Sequence, residues 1–521
     1  MGMRQRIYDT GKKALTNPRV LRWVSDDRFM KAAEGLMDAR SRVQAAFNIL
    51  VNGHELPNVD PALDERVEER IGERKTNGTT GNGAAGNGAA KNGAAASNGA
   101  ATEGSSDMDE SLKERNTLAG IGGKDVFDKC RKFKAADNAR KMGIYPFFRP
   151  LDLNDGPEAV INDRRVVMLG SNNYLGLTTH PKVREAAKAA IDRFGTSMTG
   201  SRLVNGSMKL HEEFEEKLAA WMGKESALVF TTGYQVNLAT CAALLSNKSS
   251  VAVIDRNVHA SLYDGARLGQ SAGARLVRYR HNDAESLDKT LEKLALDEGA
   301  LVITDGVFSA EGEIAKLNEL VPIVKKHGAR IMVDDAHALG VIGPGGRGTA
   351  HSFGVENDVD LIGGTFSKSL ASIGGWLVGE RKVLDYIRHF APSFMFAAAA
   401  APPCVAAAMA AFDVMQEETW RMEKLRENFT YMREELLKMG FELGHTQTAV
   451  IPIYIRQDLR TIMMWRDLLE EYGIYTNPFI SPGVPPKSAM LRTSYMATHD
   501  REHLDRGLEA LQKVGKKYGV I

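Results

Sequence analysis

Between residues 227 and 379 the chain repeats one pattern. A short, almost wholly apolar run closes on a polar residue or a glycine, and a longer stretch with helical spacing follows several of these runs. The runs are 227–231, 251–255, 300–304, 330–334, 360–364 and 376–379, and residues 234–245 and 317–327 are two of the helical stretches. A strand that is apolar without alternation is one buried on both faces. Strands of that kind alternating with helices make a mostly parallel sheet covered by helices on either side, so the expected fold class is α/β. From about Arg388 the pattern turns to long helices, strands near 451–455 and 490–494, and a last helix from Asp500. That part reads as a smaller C-terminal α+β domain.

A chain of 521 residues has room for two or three domains. Residues 76–107 are Asn-Gly and Gly-Ala-Ala repeats with Ser and Thr, too poor in apolar surface to offset their ordering entropy, and are expected to form a flexible linker. Five segments follow: a helical N-terminal module (1–75), the linker (76–107), an arm (108–160), a large domain (161–387) and a small domain (388–521). In the first module Ser25 precedes Asp26 and Asp27, a good helix start, and Phe29, Ala33, Leu36, Val43, Phe47 and Leu50 recur as a stripe that Arg40 interrupts. Residues 1–50 carry ten Lys/Arg against five Asp/Glu. Such a helix either docks on an acidic partner or membrane surface, or packs as a small appendage.

The formal net charge of +1 excludes a global affinity for nucleic acid. Cys130, Cys241 and Cys404 lie far apart, which fits a reducing, cytoplasmic compartment and forms no metal-ligand cluster. Residues 391–412 carry no charge, but they are mostly Ala and are broken by Pro392, Pro402 and Pro403. The expectation is a buried turn followed by a core or interface helix, not a membrane span.

The chemistry concentrates at the ends of two of the apolar runs. Asp334 closes one, in Val333-Asp334-Asp335-Ala336-His337, and Lys368 follows the next, in Gly364-Thr365-Phe366-Ser367-Lys368-Ser369. A lone Lys of this kind is often a snorkelling side chain. With an Asp at the neighbouring strand end and hydroxyls beside it, Lys368 suits pyridoxal 5'-phosphate: the amine takes the aldehyde, the Asp keeps the pyridine nitrogen protonated, and Thr365 and Ser367 hold the phosphate. Thr232-Gly233-Tyr234 opens a helix after a strand, where backbone N–H groups favour an anion. His259 is placed either to stack on a ring or to serve structure, and His337 to reach a phenolic oxygen. Arg492 presents a guanidinium fork to a carboxylate, or is an ordinary strand Arg. Gly343-Pro344-Gly345-Gly346-Arg347-Gly348 lacks the dinucleotide spacing and reads as a mobile loop near the site.

From about residue 125 to the end, the chain resembles the α-oxoamine synthases, fold-type I pyridoxal phosphate enzymes that join an amino acid to an acyl thioester. The segments that carry the resemblance are Ser171-Asn172-Asn173-Tyr174-Leu175-Gly176, Gly200-Ser201-Arg202-Leu203-Val204-Asn205-Gly206 with His211, Asp305-Gly306-Val307-Phe308-Ser309, and the Asp334 and Lys368 segments. It implies the aspartate aminotransferase-like fold and a homodimer. It implies Lys368, His259, Asp334 and His337 as catalytic residues, Gly233, Tyr234, Thr365 and Ser367 around the phosphate, and Arg492, Asn173, Ser201 and Arg202 around the substrate. Gly195-Thr196-Ser197-Met198-Thr199-Gly200 is nearer the branch that uses L-serine with a long-chain acyl-CoA or acyl carrier protein than the glycine, alanine or threonine-pathway members. Where the family offers a Ser or Thr to the partner subunit's phosphate, this chain has Ala397-Ala398-Ala399-Ala400-Ala401. A non-catalytic subunit is the alternative from another class, and retention of Lys368, Asp334, His337 and His259 argues against it. An aminotransferase shares the fold, but residues 200–206 favour acyl transfer.

Overall fold

The computed structural model describes residues 125–521. The helical module expected over 1–75, the linker over 76–107 and the first part of the arm lie outside the described residues. The chain divides after Tyr145. Before that point are two short helices, Asp128–Lys132 and Ala135–Lys141, neither of which buries a residue.

The unit from Pro146 to Ile521 is built on a seven-stranded sheet. Strands are numbered in chain order. β1 (Leu153–Asp155), β2 (Glu158–Ile161) and β3 (Arg164–Met168) form an antiparallel meander, to which β12 (Ile474–Tyr475) adds in parallel. The large sheet holds β4 (Ser226–Phe230), β5 (Ser250–Asp255), β6 (Arg275–Tyr279), β7 (Gly299–Asp305), β8 (Arg330–Asp334), β9 (Leu361–Thr365) and β10 (Gly375–Gly379), in the order β4-β10-β9-β8-β7-β5-β6. The pairs from β9 through β6 are parallel, and β10 runs antiparallel to both β9 and β4. β11 (Val450–Tyr454), β14 (Met490–Ser494) and β13 (Asn477–Phe479) make a third, antiparallel sheet.

The six apolar runs read from the sequence correspond to β4, β5, β7, β8, β9 and β10. β5, β9 and β10 are buried at every position, as strands covered on both faces must be. The sequence reading missed β6. This edge strand carries Arg275 and Arg278 and is mostly half-buried, and charge is how an exposed sheet edge is kept from pairing.

Aromatic packing fixes one face of the sheet. Phe214 meets Phe366 at 5.1 Å and Phe412 at 5.8 Å between ring centroids, and each fully buried side chain of this size contributes roughly 1.5–3 kcal/mol. Phe412 belongs to the helix Pro402–Glu417, which starts with Pro at its first turn and buries ten residues, five of them Ala. The uncharged stretch 391–412 therefore supplies a core helix, and no helix among the described residues is long and apolar enough to cross a membrane.

Candidate active site

Parallel strands point their carboxyl ends the same way, so the residues that terminate them meet along one edge. Asp305 ends β7 and Asp334 ends β8, directly paired in register. Lys368 lies three residues beyond β9, which pairs with β8. β10 returns antiparallel against β9, so the Lys368 loop is held at both ends in the sheet interior.

A cavity of about 330 Å³ opens over these strand ends. Its lining includes Gly233, Tyr234, His259, Asp334, His337, Thr365, Ser367 and Lys368, which are the eight residues expected to be catalytic or to hold the cofactor. Burial pulls the Lys368 amine from its ordinary value down to about 8, against the opposing pull of Asp334. No hydrogen bond or ion pair among the described residues reaches its Nζ.

Asp334 is buried and oriented at both oxygens. Its Oδ1 accepts from the Ala336 N–H (2.9 Å), and its Oδ2 accepts from Asn237 Nδ2 (2.7 Å), which also donates to Ser261 Oγ (2.8 Å). His259 caps the helix Ala260–Ser271. Its backbone N–H donates to Asp305 Oδ1 (3.2 Å) and its Nδ1 lies 2.7 Å from Ser261 Oγ. Burial holds His259 and, more strongly, His337 below the usual imidazole range, so both rings are neutral. Asp305 is pushed well up, first by burial and then by the neighbouring charge of Asp334.

The other wall is made of hydroxyls and close backbone. Thr232 caps the helix Gly233–Leu244, its Oγ1 accepting from the Gln235 N–H (3.1 Å). Thr365 Oγ1 and Ser367 Oγ lie 2.8 Å apart. A Cβ at Gly233 would stand 2.6 Å from Thr365 Cβ, so only glycine lets the helix start approach this close. Tyr234 hydrogen-bonds Asp264 and meets the His259 ring edge-on at 6.3 Å.

Four expected substrate residues do not line this cavity. Arg492 is buried, its Nε donating to the Ser309 carbonyl (2.6 Å), one terminal N–H to Ser494 Oγ (3.1 Å) and the other to Asn172 Oδ1 (3.0 Å). Asn173 closes its own turn, accepting from the Leu177 N–H (3.0 Å) and donating to Thr178 (2.9 Å). Arg202 is paired with Glu215 at 2.8 Å, and Glu215 also accepts from the Val229 N–H, so the pair ties a helix to β4. Ser201 bridges Ala398, and Thr231 Oγ1 donates to the Ala398 carbonyl (2.6 Å), which pins the alanine run beside residues 200–201.

Asn237, Ser261, Asp305 and Tyr174 were not singled out from the sequence. The signal for Asp305 was present, because it is an acid closing an otherwise apolar strand just as Asp334 does. Asn237 is legible only once the helix cap is known, being one turn into a mostly apolar helix.

Residues 164–511 match the family model for aminotransferase class I and II. The chain is 41% identical over 390 residues to the serine palmitoyltransferase of Sphingobacterium spiritivorum, which covers 75% of this chain and 96% of that protein. It is 36% identical over 386 residues to the 8-amino-7-oxononanoate synthase of Thermoanaerobacter pseudethanolicus, covering 74% and 96%. Among solved structures, the serine palmitoyltransferase of S. paucimobilis with a bound pyridoxal phosphate–myriocin aldimine superposes with a TM-score of 0.73 at 34% identity, over 76% of this chain and all of that one. The chain belongs to the α-oxoamine synthases, the pyridoxal phosphate-dependent acyltransferases of the class I and II aminotransferase fold.

Proposed function

We propose that the protein condenses L-serine with a long-chain acyl thioester of the palmitoyl-CoA type, with loss of CO2 and free thiol, to give 3-oxosphinganine, the first step of sphingolipid synthesis. The observation that carries the cofactor half is a half-buried Lys368, without a hydrogen-bond or ion-pair partner among the described residues, in one cavity with an oriented Asp334. The likeness to serine palmitoyltransferases supports the substrate half.

The residues present fit pyridoxal phosphate. A cradle that a single Cβ at Gly233 would fill, two hydroxyls at its side, and a buried Asn237 Oδ1 that lacks a hydrogen-bond partner are the features of a site shaped for a polar ligand. Lys368 would hold its aldehyde carbon, Asp334 its ring nitrogen, His337 its phenolic oxygen, His259 its ring face, and Gly233, Tyr234, Thr365 and Ser367 its phosphate. When bound, the cofactor supplies an electron sink for the negative charge that develops at the amino acid's α-carbon. Lys368 Nζ, with its proton affinity lowered by burial, takes the α-proton and returns one after CO2 leaves. Asp334, held by Asn237 and the Ala336 N–H, keeps a fixed negative charge at the inner wall. Arg492, on β14, binds the substrate carboxylate during part of the cycle by exchanging one of its present acceptors.

The working form is a homodimer. An apolar groove of about 440 Å³ shares Thr232 and Tyr234 with the active-site cavity and exposes Phe396 by 75%, a surface suited to a second copy.

The deciding experiment mixes the pure protein with serine and palmitoyl-CoA and identifies the product by mass spectrometry. 3-Oxosphinganine is expected. Condensation with glycine or alanine and shorter acyl-CoA, at higher kcat/KM than with serine, would reject the serine assignment and leave the family standing.

A further inference from the structure

We propose that Tyr174 is a positioning residue that fixes His337 as the Nε2–H tautomer and so makes it a hydrogen-bond donor into the cavity. The two side chains come from distant parts of the chain and meet in the interior. Tyr174 is fully buried, and its hydroxyl lies 2.6 Å from His337 Nδ1, with the rings tilted at 59°.

The direction of that bond follows from what each neighbour is able to donate. The Tyr174 oxygen has one hydrogen to give and lone pairs to share. Arg492 is a donor only, and its positive charge near the Tyr174 hydroxyl offers that hydroxyl's hydrogen no acceptor. The hydroxyl hydrogen then has two places to go. One is Asn172 Oδ1, at 3.4 Å and already accepting from Arg492 at 3.0 Å. The other is His337 Nδ1 at 2.6 Å, the shorter by far. Burial pushes the Tyr174 hydroxyl up to about 12 and His337 well below its ordinary value, so the hydroxyl keeps its hydrogen and the ring is neutral across the working pH range. A neutral imidazole that accepts at Nδ1 carries its hydrogen at Nε2. His337 lines the cavity, and among the described residues no hydrogen bond reaches Nε2.

Fixing the tautomer matters because the wrong one presents a lone pair where a donor is needed. What Nε2 meets rests on the pyridoxal phosphate reading, in which it faces an anionic phenolic oxygen. The tautomer itself does not, since every contact used here lies within the chain.

The test is nitrogen NMR of the full-length apoprotein carrying 15N-labelled histidine, with the His337 signals assigned by their loss in His337→Gln. The wild type should show a pyridine-type Nδ1 and a pyrrole-type Nε2, and a scalar coupling from the Tyr174 hydroxyl hydrogen to Nδ1. In Tyr174→Phe both nitrogens should move to averaged positions as the tautomers exchange, and kcat of the loaded enzyme should fall about tenfold, the worth of one hydrogen bond. A pyrrole-type Nδ1 in the wild type, or an unchanged His337 spectrum in Tyr174→Phe, would overturn the proposal. Should Tyr174→Phe not fold, the wild-type spectrum and coupling still decide it. Uptake of pyridoxal phosphate by the wild type, followed by absorbance, is scored separately; no uptake sinks the cofactor reading and leaves the tautomer result intact.

Discussion

Two strands of the same sheet handle a buried acid at their carboxyl ends in opposite ways. β5 ends in Asp255 and β8 ends in Asp334, both buried at the carboxyl edge. Asp255 is saturated within the protein: it accepts from the Asn257 N–H (2.8 Å), the Asn282 N–H (2.7 Å) and His281 Nδ1 (3.0 Å), while His281 Nε2 faces Glu313 at 3.5 Å. Burial alone would lower His281, but its hydrogen bond to Asp255 and the nearby Glu313 carboxylate prevail and lift it to about 10, so the imidazole is charged. Asp334 is oriented by two neutral donors and has no cation within ion-pair distance among the described residues. Lys368, which lines the same cavity, is depressed by burial. The same strand-end geometry therefore yields a structural clasp where the acid is paired inside the chain, and a carboxylate with no cation partner among the described residues where it opens on the cavity, which is what the proposed chemistry uses.

The comparison breaks most sharply at Lys368. Lys368→Ala should lose the visible absorbance of the bound cofactor and all turnover while the protein stays folded; normal turnover would remove the residue from the chemistry. Asp334→Asn keeps shape and loses charge, and a rate loss of about a hundredfold or more is expected, equal to roughly 3 kcal/mol in the barrier, with weaker cofactor retention. Full occupancy at an unchanged rate would show that Asp334 is a second clasp like Asp255.

The amine's depressed proton affinity has its own signature. Only the unprotonated amine attacks an aldehyde, so capture of pyridoxal phosphate by the apoprotein should rise about tenfold per pH unit and level off near pH 8. A surface lysine would keep rising beyond that, and such a profile would place the amine in water.

At the structural end, His281→Gln should cost about 3 kcal/mol of stability at pH 6 and leave kcat within about twofold. His281 is raised from its ordinary 6.5 to about 10, so its contribution is complete below about pH 6.5 and disappears as pH rises through 10. Denaturant melts of both forms should accordingly converge toward pH 10. A gap that persisted there would mean the loss is packing against Phe308, whose ring lies 4.3 Å away, and not charge. The smallest effect is expected for a chain beginning at Met108, which should retain cofactor and near-normal kcat with soluble acyl-CoA but bind anionic vesicles or acyl carrier protein less well. Failure of that chain to hold cofactor would make residues 1–107 part of the fold.

What was legible in the sequence follows the same division. Fully buried strands announce themselves as unbroken apolar runs, which is why β8 and β9 were found, and an acid or a lysine at their ends, such as Asp334 and Lys368, stands out against that background. β6 was not, because an edge strand mixes Arg with apolar residues and its pattern resembles a loop. Arg202 and Asn173 were assigned to substrate through family resemblance, whereas their partners Glu215, Leu177 and Thr178 are contacts that spacing alone does not reveal. Tyr174 and His337 lie 163 positions apart, and only tertiary packing brings them together.

The hairpin-like return of β10 carries a consequence for how this chain tolerates change in length. Gly375 pairs with Thr365 on one side and Phe230 on the other, so both neighbours fix its register. If a residue removed or added between Thr365 and Gly375 were absorbed by a one-residue slip of β10, every following side chain would turn to the opposite face and Trp376 would leave its buried place. The interval that contains Lys368 is therefore the one whose length the two flanking pairings hold, a ruler set between strands that are themselves fixed.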